Sequence, residues 1–208
     1  MSKKPSVTPD QAKNIAWYLQ PVDLHTLLPI NVGLRSAQEA TMISVLGSPQ
    51  LPLTTVDQPG KASPLVKKLA STLNISPLII ANGIKPSVQS LDAILKKAFS
   101  QEQAAGHDLK SVLSSAYNML NVRYRKPPKG PPSTQISNHA WGAAIDFKII
   151  TQDFLGDTHS TIPKYIEVLL PLFNEAGWYS GISFHDTMHF EVSDGTIHQW
   201  SAEGKFKI

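Results

Sequence analysis

The stretch that decides the fold is 137–149, which reads Ser-Asn-His-Ala-Trp-Gly-Ala-Ala-Ile-Asp-Phe-Lys-Ile. Its second half alternates between two faces: Ile145, Phe147 and Ile149 on one, and Ala144, Asp146 and Lys148 on the other. A period of two predicts a half-buried β-strand. His139 precedes this strand and is therefore expected in the loop that enters it.

A second strand is expected further along the chain, where Met188, Phe190 and Val192 alternate with His189, Glu191 and Ser193. Between the two strands a helix is predicted from about Pro163 to Glu175, and Gly177 is placed to end it. Its inward positions are Ile166, Leu169, Leu170 and Phe173. The C-terminal half is thus predicted to be α+β.

Residues 1–120 are predicted to be mostly helical. Thr8 with Pro9 indicates one helix start, and Ser36 with Glu39 forms a capping-box pattern for a second helix that Gly47 can end. Three more stripes recur at helical spacing: Leu65, Leu69 and Leu73 after Ser63-Pro64; Val88, Leu91, Leu95 and Ala98; and Leu109, Val112, Leu113 and Ala116. All are interpreted as core-facing.

Residues 121–136 are predicted to form an exposed loop. Its cations alternate with helix-breaking residues: Arg123, Arg125, Lys126 and Lys129 among Pro127, Pro128, Gly130, Pro131 and Pro132. A proline-rich ligand for a partner domain is one interpretation. A basic loop on the rim of a binding groove is favoured, because the loop leads directly into 137–149.

Composition excludes several classes of protein. The 208 residues are 41% hydrophobic and 17% charged, which is typical of a globular chain and not of a disordered one. The chain has no cysteine, so a metal would need nitrogen and oxygen ligands. A net charge of +3 is too small for a typical nucleic-acid binder, and no apolar run is long enough for a membrane span.

Three side chains in and around the two strands can bind a metal. Asp146 lies on the polar face of the first strand, His189 on that of the second, and His139 in the entering loop. Imidazole and carboxylate are ordinary zinc ligands, and three of them leave a fourth position for water. Spacing alone is weak evidence, because a loop histidine and a surface carboxylate would give the same pattern.

The context strengthens this hypothesis. Residues 137–146 match Ser-x-His-x-x-Gly-x-Ala-x-Asp, and Asp186-Thr187-Met188-His189-Phe190-Glu191 follows, preceded by Gly177-Trp178. The sequence resembles the zinc peptidoglycan peptidases, which include D-alanyl-D-alanine carboxypeptidases and the L-alanyl-D-glutamate endopeptidases of phage lysins. The resemblance covers about residues 110–200 and implies zinc held by His139, Asp146 and His189, with Asp186 as general base.

The implied fold is a hedgehog/DD-peptidase-like α+β domain, in which helices flank a small antiparallel sheet that carries the zinc site. A mainly helical N-terminal region, 1–105, would pack on the same domain as a catalytic core, 106–208. Asp186 occupies a position where the carboxypeptidase branch usually has Glu, which favours endopeptidase activity. Because Asp186 and His189 would lie on opposite faces of a regular strand, Asp186 is expected in an irregular turn before it.

The family also uses an arginine before the Ser-x-His motif to bind substrate. Arg123 and Arg125 both qualify, with Arg123 preferred, and the plainer alternative for either is a solvated loop cation. Ser137, Trp141 and His185 are candidate substrate contacts. The plainer alternatives are that Ser137 hydrogen-bonds around the ligand loop, that Trp141 is a core residue and that His185 is simply exposed.

Glu191, on the face of His189, is a candidate for orienting a ligand, and Gly142 for close backbone approach. Trp178, like Trp141, is interpreted as core in preference to cleft wall. The other histidines, His25, His107, His159 and His198, have no motif around them.

The expected partner is the peptidoglycan stem peptide, with neither nucleic acid nor membrane insertion, and the chain is expected to be a monomer. The site of action would be the periplasm or cell wall. No secretory signal follows the basic start, so phage-type release, specialised secretion or a removed leader is expected. D-alanyl-D-alanine carboxypeptidase activity and a non-catalytic, zinc-containing wall-binding module remain the alternatives.

Overall fold

The computed structural model describes residues 7–50, 60–116, 118–125, 133–151 and 160–208. Within these ranges the helices are α1 (Pro9–Tyr18), α2 (Glu39–Leu46), α3 (Pro64–Leu69), α4 (Lys85–Ala104), α5 (Lys164–Glu175) and α6 (Asp194–Ala202). The strands are β1 (Pro21–Asp23), β2 (Ala70–Ser76), β3 (Ile79–Ile84), β4 (Leu113–Ser115), β5 (Ala144–Ile149), β6 (Thr161–Pro163), β7 (Trp178–Ser180) and β8 (His189–Val192). None of the helices in these ranges has the length and apolar character needed to cross a bilayer.

A four-stranded antiparallel sheet, in the order β4-β5-β8-β7, is the centre of the fold. The register between β5 and β8 places Asp146 opposite His189 and Ala144 opposite Glu191. Residues opposite each other in such a pair have neighbouring side chains on one face of the sheet. This sheet and the surrounding helices confirm the predicted α+β class and both predicted strands.

The apolar face of the sheet packs on α5. Phe173 of α5 lies 4.2 Å from Phe190 of β8 and 5.7 Å from Phe147 of β5, measured between ring centroids. β5 is covered on its other face too, because Ala144 and Asp146 are also buried. The prediction of a half-buried strand is therefore wrong, because neighbouring segments also enclose the face that carries Asp146. In this strand the alternation separates apolar from more polar side chains, but it does not separate buried from exposed ones.

Three of the helices predicted in the N-terminal half are present, but the N-cap of one of them differs from the predicted residue. Thr8 caps α1 in a capping box with Gln11, and α4 contains the stripe from Val88 to Ala98. α2 ends at Gly47 as expected, but its N-cap is Gln38, without a side-chain cap. The capping box assigned to Ser36 and Glu39 is absent because both side chains bond elsewhere, to Glu191 and to the Ile136 amide.

Two predicted helices are strands over part of their length. α3 ends at Leu69, and Leu73 lies in β2, which forms a hairpin with β3. Residues 109–111 form one 3₁₀ turn, after which Leu113–Ser115 becomes β4 and pairs with β5. Leu109, Val112 and Leu113 are buried as expected, but pairing with the sheet outweighs their helical spacing.

Both halves of the chain contribute to one connected hydrophobic core, which includes Leu46, Leu91, Ile145 and Phe173. The hairpin of the N-terminal half touches the loop before β5 directly, since the Ile84 amide donates to the Gly142 carbonyl at 3.2 Å. The division at residues 105 and 106 stays a prediction.

Candidate active site

His139, Asp146 and His189 come together on the polar face of the central sheet. Their ligand atoms all lie within 4.8 Å of one another. The residues are 1%, 5% and 7% exposed, respectively. Burial of three polar side chains with almost no water contact is costly unless they bind one another or an ion. The cluster is therefore the strongest candidate for a metal centre within the described ranges.

The backbone before β5 positions His139. Asn138–Trp141 forms a 3₁₀ turn, which ends at Gly142 with φ +65°. A Cβ atom at Gly142 would lie 2.8 Å from the Cα of Gly83, closer than real contacts allow. Gly142 is thus required both by its left-handed conformation and by the close approach of the hairpin, as the sequence predicted.

The ring of His139 presents a free nitrogen to the cluster. Its Nδ1 lies 3.2 Å from the carbonyl of Met119, and a carbonyl can only accept, so Nδ1 carries the hydrogen. Nε2 then has a lone pair. It is buried and has no hydrogen-bond partner among the described residues, although Oδ2 of Asp146 is 3.2 Å away. A buried lone pair without a donor is what a metal ligand would show before its ion is bound.

The ring of His189 has a complementary arrangement. Its Nε2 lies 3.0 Å from Oε2 of Glu191, and its Nδ1 lies 2.8 Å from Oδ1 of Asp146. Glu191 keeps a hydrogen on Nε2, so Nδ1, which donates to Asp146 when it is protonated, is the nitrogen that can lose its hydrogen and bind a metal. This pattern, in which an outer carboxylate fixes the tautomer of a ligand histidine, is typical of metal sites. The three side chains therefore fit zinc, with two nitrogens and a carboxylate oxygen as donors.

The charges in the cluster stabilise one another. Burial opposes ionisation of Asp146, but the adjacent imidazoles hold the pKa of its carboxyl below the usual range. Burial likewise disfavours charged His189, yet its bonds to Asp146 and Glu191 raise its pKa to about 10. Without metal, His189 is therefore in its charged form, with a hydrogen on each ring nitrogen. Binding of a cation at Nδ1 would displace the hydrogen of that nitrogen.

Asp186 lies where the sequence places it, in irregular backbone before β8. Its amide donates to the Gly181 carbonyl at 3.0 Å, and its carbonyl accepts from the His189 amide at 3.1 Å. Burial raises the pKa of the Tyr165 hydroxyl, and the charges of Asp186 and Asp146 raise it further. The charges of Asp186 and Asp146 thus act on the same hydroxyl group, and the Asp186 backbone contacts that of His189 directly.

Gly181 packs closely against this turn and against His189. A Cβ atom there would lie 2.5 Å from the Asp186 carbonyl oxygen and 2.9 Å from the Cβ of His189. We expect Gly181→Ala to displace the turn and lower kcat more than tenfold, because small misplacements of reacting groups have large effects on rate. Gly195→Ala in α6 is the matched control, since a Cβ atom there meets nothing within 4 Å.

Steady-state kinetics and thermal unfolding of the two variants test this expectation. Gly195→Ala should leave kcat unchanged and the free energy of unfolding equal or slightly higher, as alanine favours helix. Unchanged kcat in Gly181→Ala would show that the turn does not need this glycine.

The two candidate arginines lie near the ligand loop and are half-buried, not in an exposed loop. The Arg123 carbonyl accepts from the Ser137 amide at 3.0 Å, and Nη1 of Arg123 donates to the Tyr124 carbonyl at 3.2 Å. Nε of Arg125 donates to the Ile136 carbonyl at 3.3 Å. An antiparallel bridge between Tyr124 and Ile136 joins the two sides of the predicted loop.

This bridge explains why the prediction of an exposed loop is wrong for these positions. The proline-rich residues of the predicted loop, including Lys126 and Lys129, lie outside the described residues. Nε of Arg123 is buried and has no partner within the described ranges. Of the two arginines, Arg123 therefore has the less satisfied guanidinium, and its role stays a prediction.

The three candidate substrate contacts have different surroundings. Ser137 is buried at the start of the ligand turn, and His185 is exposed beside Asp186 with φ +65°. Trp141 is fully buried, and its Nε1 donates to the Gly47 carbonyl at 2.8 Å. Its position favours the core interpretation, and the same holds for fully buried Trp178, which donates to Ser90.

Several residues of the site were not found from the sequence. The Met119 carbonyl fixes the His139 tautomer, Gly181 packs against the turn of Asp186, and the charges of Asp186 and Asp146 raise the pKa of Tyr165. Ser36 donates to Glu191 from 155 positions away in the chain. A backbone carbonyl or a distant serine leaves no pattern around the motif, so no sequence signal could have identified these contacts.

Comparison with known proteins supports the same assignment. A family model described as D-alanyl-D-alanine carboxypeptidase matches residues 131–192, a segment that contains His139, Asp146, Asp186 and His189. No curated protein and no solved structure matches the chain. The family implies a peptidoglycan peptide as substrate. This matched segment contains the buried cluster of two imidazoles and a carboxylate, so the segment is similar to the D-alanyl-D-alanine carboxypeptidase family and carries a candidate zinc site of a metallopeptidase.

Proposed function

We propose that the chain is an L-alanyl-D-glutamate endopeptidase that hydrolyses the stem peptide of peptidoglycan in the periplasm or cell wall. The observation that carries the proposal is Asp186, an aspartate where the carboxypeptidase branch usually has glutamate. It lies in the turn that packs on Gly181 and leads into His189. Asp is one methylene shorter than Glu and needs a backbone close to the reacting water, which the tight contact at Gly181 favours.

In the proposed mechanism, each residue of the site has one task. His139, Asp146 and His189 would hold zinc, which supplies Lewis-acid polarisation of the scissile carbonyl and a water of lowered pKa. Asp186 accepts a proton from the attacking water and delivers it to the leaving amine. A guanidinium, preferably that of Arg123, stabilises the negative charge that develops on the carbonyl oxygen.

The proposed partner is a carboxylate-rich stem peptide bound by a monomeric chain. The basic residues Arg123 and Arg125, next to the ligand loop, suit such an anionic substrate. No membrane insertion and no nucleic acid are part of the proposal. D-alanyl-D-alanine carboxypeptidase activity is the second candidate, favoured by the description of the family model that matches residues 131–192.

The test is mass spectrometry of N-acetylmuramyl pentapeptide after incubation with the zinc-loaded protein, with a chelator-treated sample as control. The muramyl group is needed because a free pentapeptide would lose one alanine, with the same mass change, whichever end is cleaved. With the group attached, the N-terminal alanine stays on the muramyl fragment and the two cleavages give different products. Release of an unblocked tetrapeptide beginning with D-glutamate would support the proposal. Loss of the terminal D-alanine alone would overturn it in favour of carboxypeptidase activity, and bound zinc without cleavage would favour a wall-binding module.

A further inference from the structure

The Glu191 carboxylate lies beside the candidate zinc ligand His189 and is almost completely enclosed. Glu191 is 3% exposed. Its Oε2 accepts from Asn138 Nδ2 at 2.8 Å and lies 3.0 Å from Nε2 of His189. Its Oε1 accepts from the hydroxyl of Ser36 at 2.5 Å. Both carboxylate oxygens are thus occupied, and Ser36 supplies the contact on the side away from His189.

This contact fixes the carboxylate in one orientation. A glutamate side chain has three rotatable bonds, so a carboxylate bound only through Oε2 could swing about that contact. With Oε1 held by Ser36, Oε2 stays in line with Nε2 of His189. That bond keeps the hydrogen on Nε2 and the lone pair on Nδ1, where the metal would bind.

The backbone around Ser36 is held on both sides. The Arg35 carbonyl accepts from the Asp194 amide at 3.0 Å, and the Gln38 amide donates to Asp194 Oδ1 at 3.0 Å. The Ala37 carbonyl accepts from Asn138 Nδ2 at 3.3 Å. Ser36 is therefore anchored to α6 and to the ligand turn, although it lies far outside the segment that matches the family, residues 131–192.

We propose that Ser36 is a positioning residue for zinc, acting through Glu191 on the tautomer and orientation of His189. The N-terminal region thereby completes the metal site of the C-terminal core. The proposal rests on the ligand set and not on which amide bond the enzyme cleaves, so the product analysis above can fail without affecting it.

The test is the zinc dissociation constant of Ser36→Ala, measured by competition with a chromophoric chelator. We expect zinc affinity to fall by about 10- to 100-fold, the range for loss of an outer hydrogen-bond partner. Ser36→Thr, which keeps the hydroxyl, should retain most of the affinity. Ser44→Ala, at an exposed position of α2, is the matched control and should bind zinc like the unmodified chain.

A double-mutant cycle with Glu191→Gln shows whether Ser36 acts through Glu191. If it does, Ser36→Ala has little further effect on zinc affinity in the Glu191→Gln background. Unchanged affinity in Ser36→Ala, equal losses in the Ala and Thr variants, or full additivity in the cycle would each overturn the proposal. If Ser36→Ala does not fold, nitrogen NMR of His189 in Glu191→Gln decides instead: an unchanged tautomer would overturn it.

Discussion

Replacing Asp186 with asparagine is expected to lower kcat for stem-peptide hydrolysis by about 10²- to 10⁴-fold, the usual contribution of a general base. Asparagine has nearly the same shape as aspartate but cannot accept the proton of the attacking water. Asp186 is not in the ligand cluster, so zinc content should stay near one ion per chain. Steady-state kinetics and metal analysis of the same preparation measure both quantities.

Two further variants give this experiment its controls. Asp186→Glu keeps the carboxylate one methylene further from the backbone, and it should recover part of the lost activity. Asp10→Asn removes an exposed carboxylate in α1, whose side chain is 90% accessible, and should leave kcat unchanged. Full activity of Asp186→Asn would exclude Asp186 as the base, whereas equal loss of zinc and activity would assign it a structural role.

Replacing His189 with alanine is expected to weaken zinc binding by more than about 100-fold, beyond the effect of losing an outer partner of a ligand. The substitution removes one of three ligands and leaves Asp146 without its 2.8 Å contact to Nδ1. It also leaves Glu191 buried without its imidazole neighbour. Activity should fall with the metal content, and added zinc should not restore it at ordinary concentrations.

His198→Ala is the matched control for this variant. His198 lies in α6 with a side chain that is 62% exposed, and its Nε2 lies 3.7 Å from the Asp194 carboxylate. Metal analysis after dialysis should find zinc in His198→Ala and almost none in His189→Ala. Stoichiometric zinc in His189→Ala would remove His189 from the ligand set.

The ligand cluster could be predicted because the motif and the strand pattern agree. His139, Asp146 and His189 each have a fixed place in the motif, and alternation along β5 and β8 puts Asp146 and His189 on polar faces. The irregular turn at Asp186 followed from a spacing of three, which no regular strand can place on one face. These inferences are local, so the sequence contains the information they need.

Other parts could not be predicted because they depend on tertiary contacts. Leu73 continues the spacing of Leu65 and Leu69, yet it lies in β2, where pairing with β3 provides the hydrogen bonds. Ser36 and Glu39 match a helix cap, yet both side chains bond to distant partners. Local patterns describe what a segment can form alone, and long-range pairing decides between the possibilities.

The most direct test of the central claim is a crystal structure of the zinc-loaded protein with anomalous data at the zinc absorption edge. We predict one strong peak, about 2.0–2.2 Å from Nε2 of His139, Nδ1 of His189 and a carboxylate oxygen of Asp146. Nε2 of His189 should remain bonded to Glu191 and not to the metal. A peak elsewhere, or zinc bound through Nε2 of His189, would contradict the ligand set and the tautomers on which this account depends.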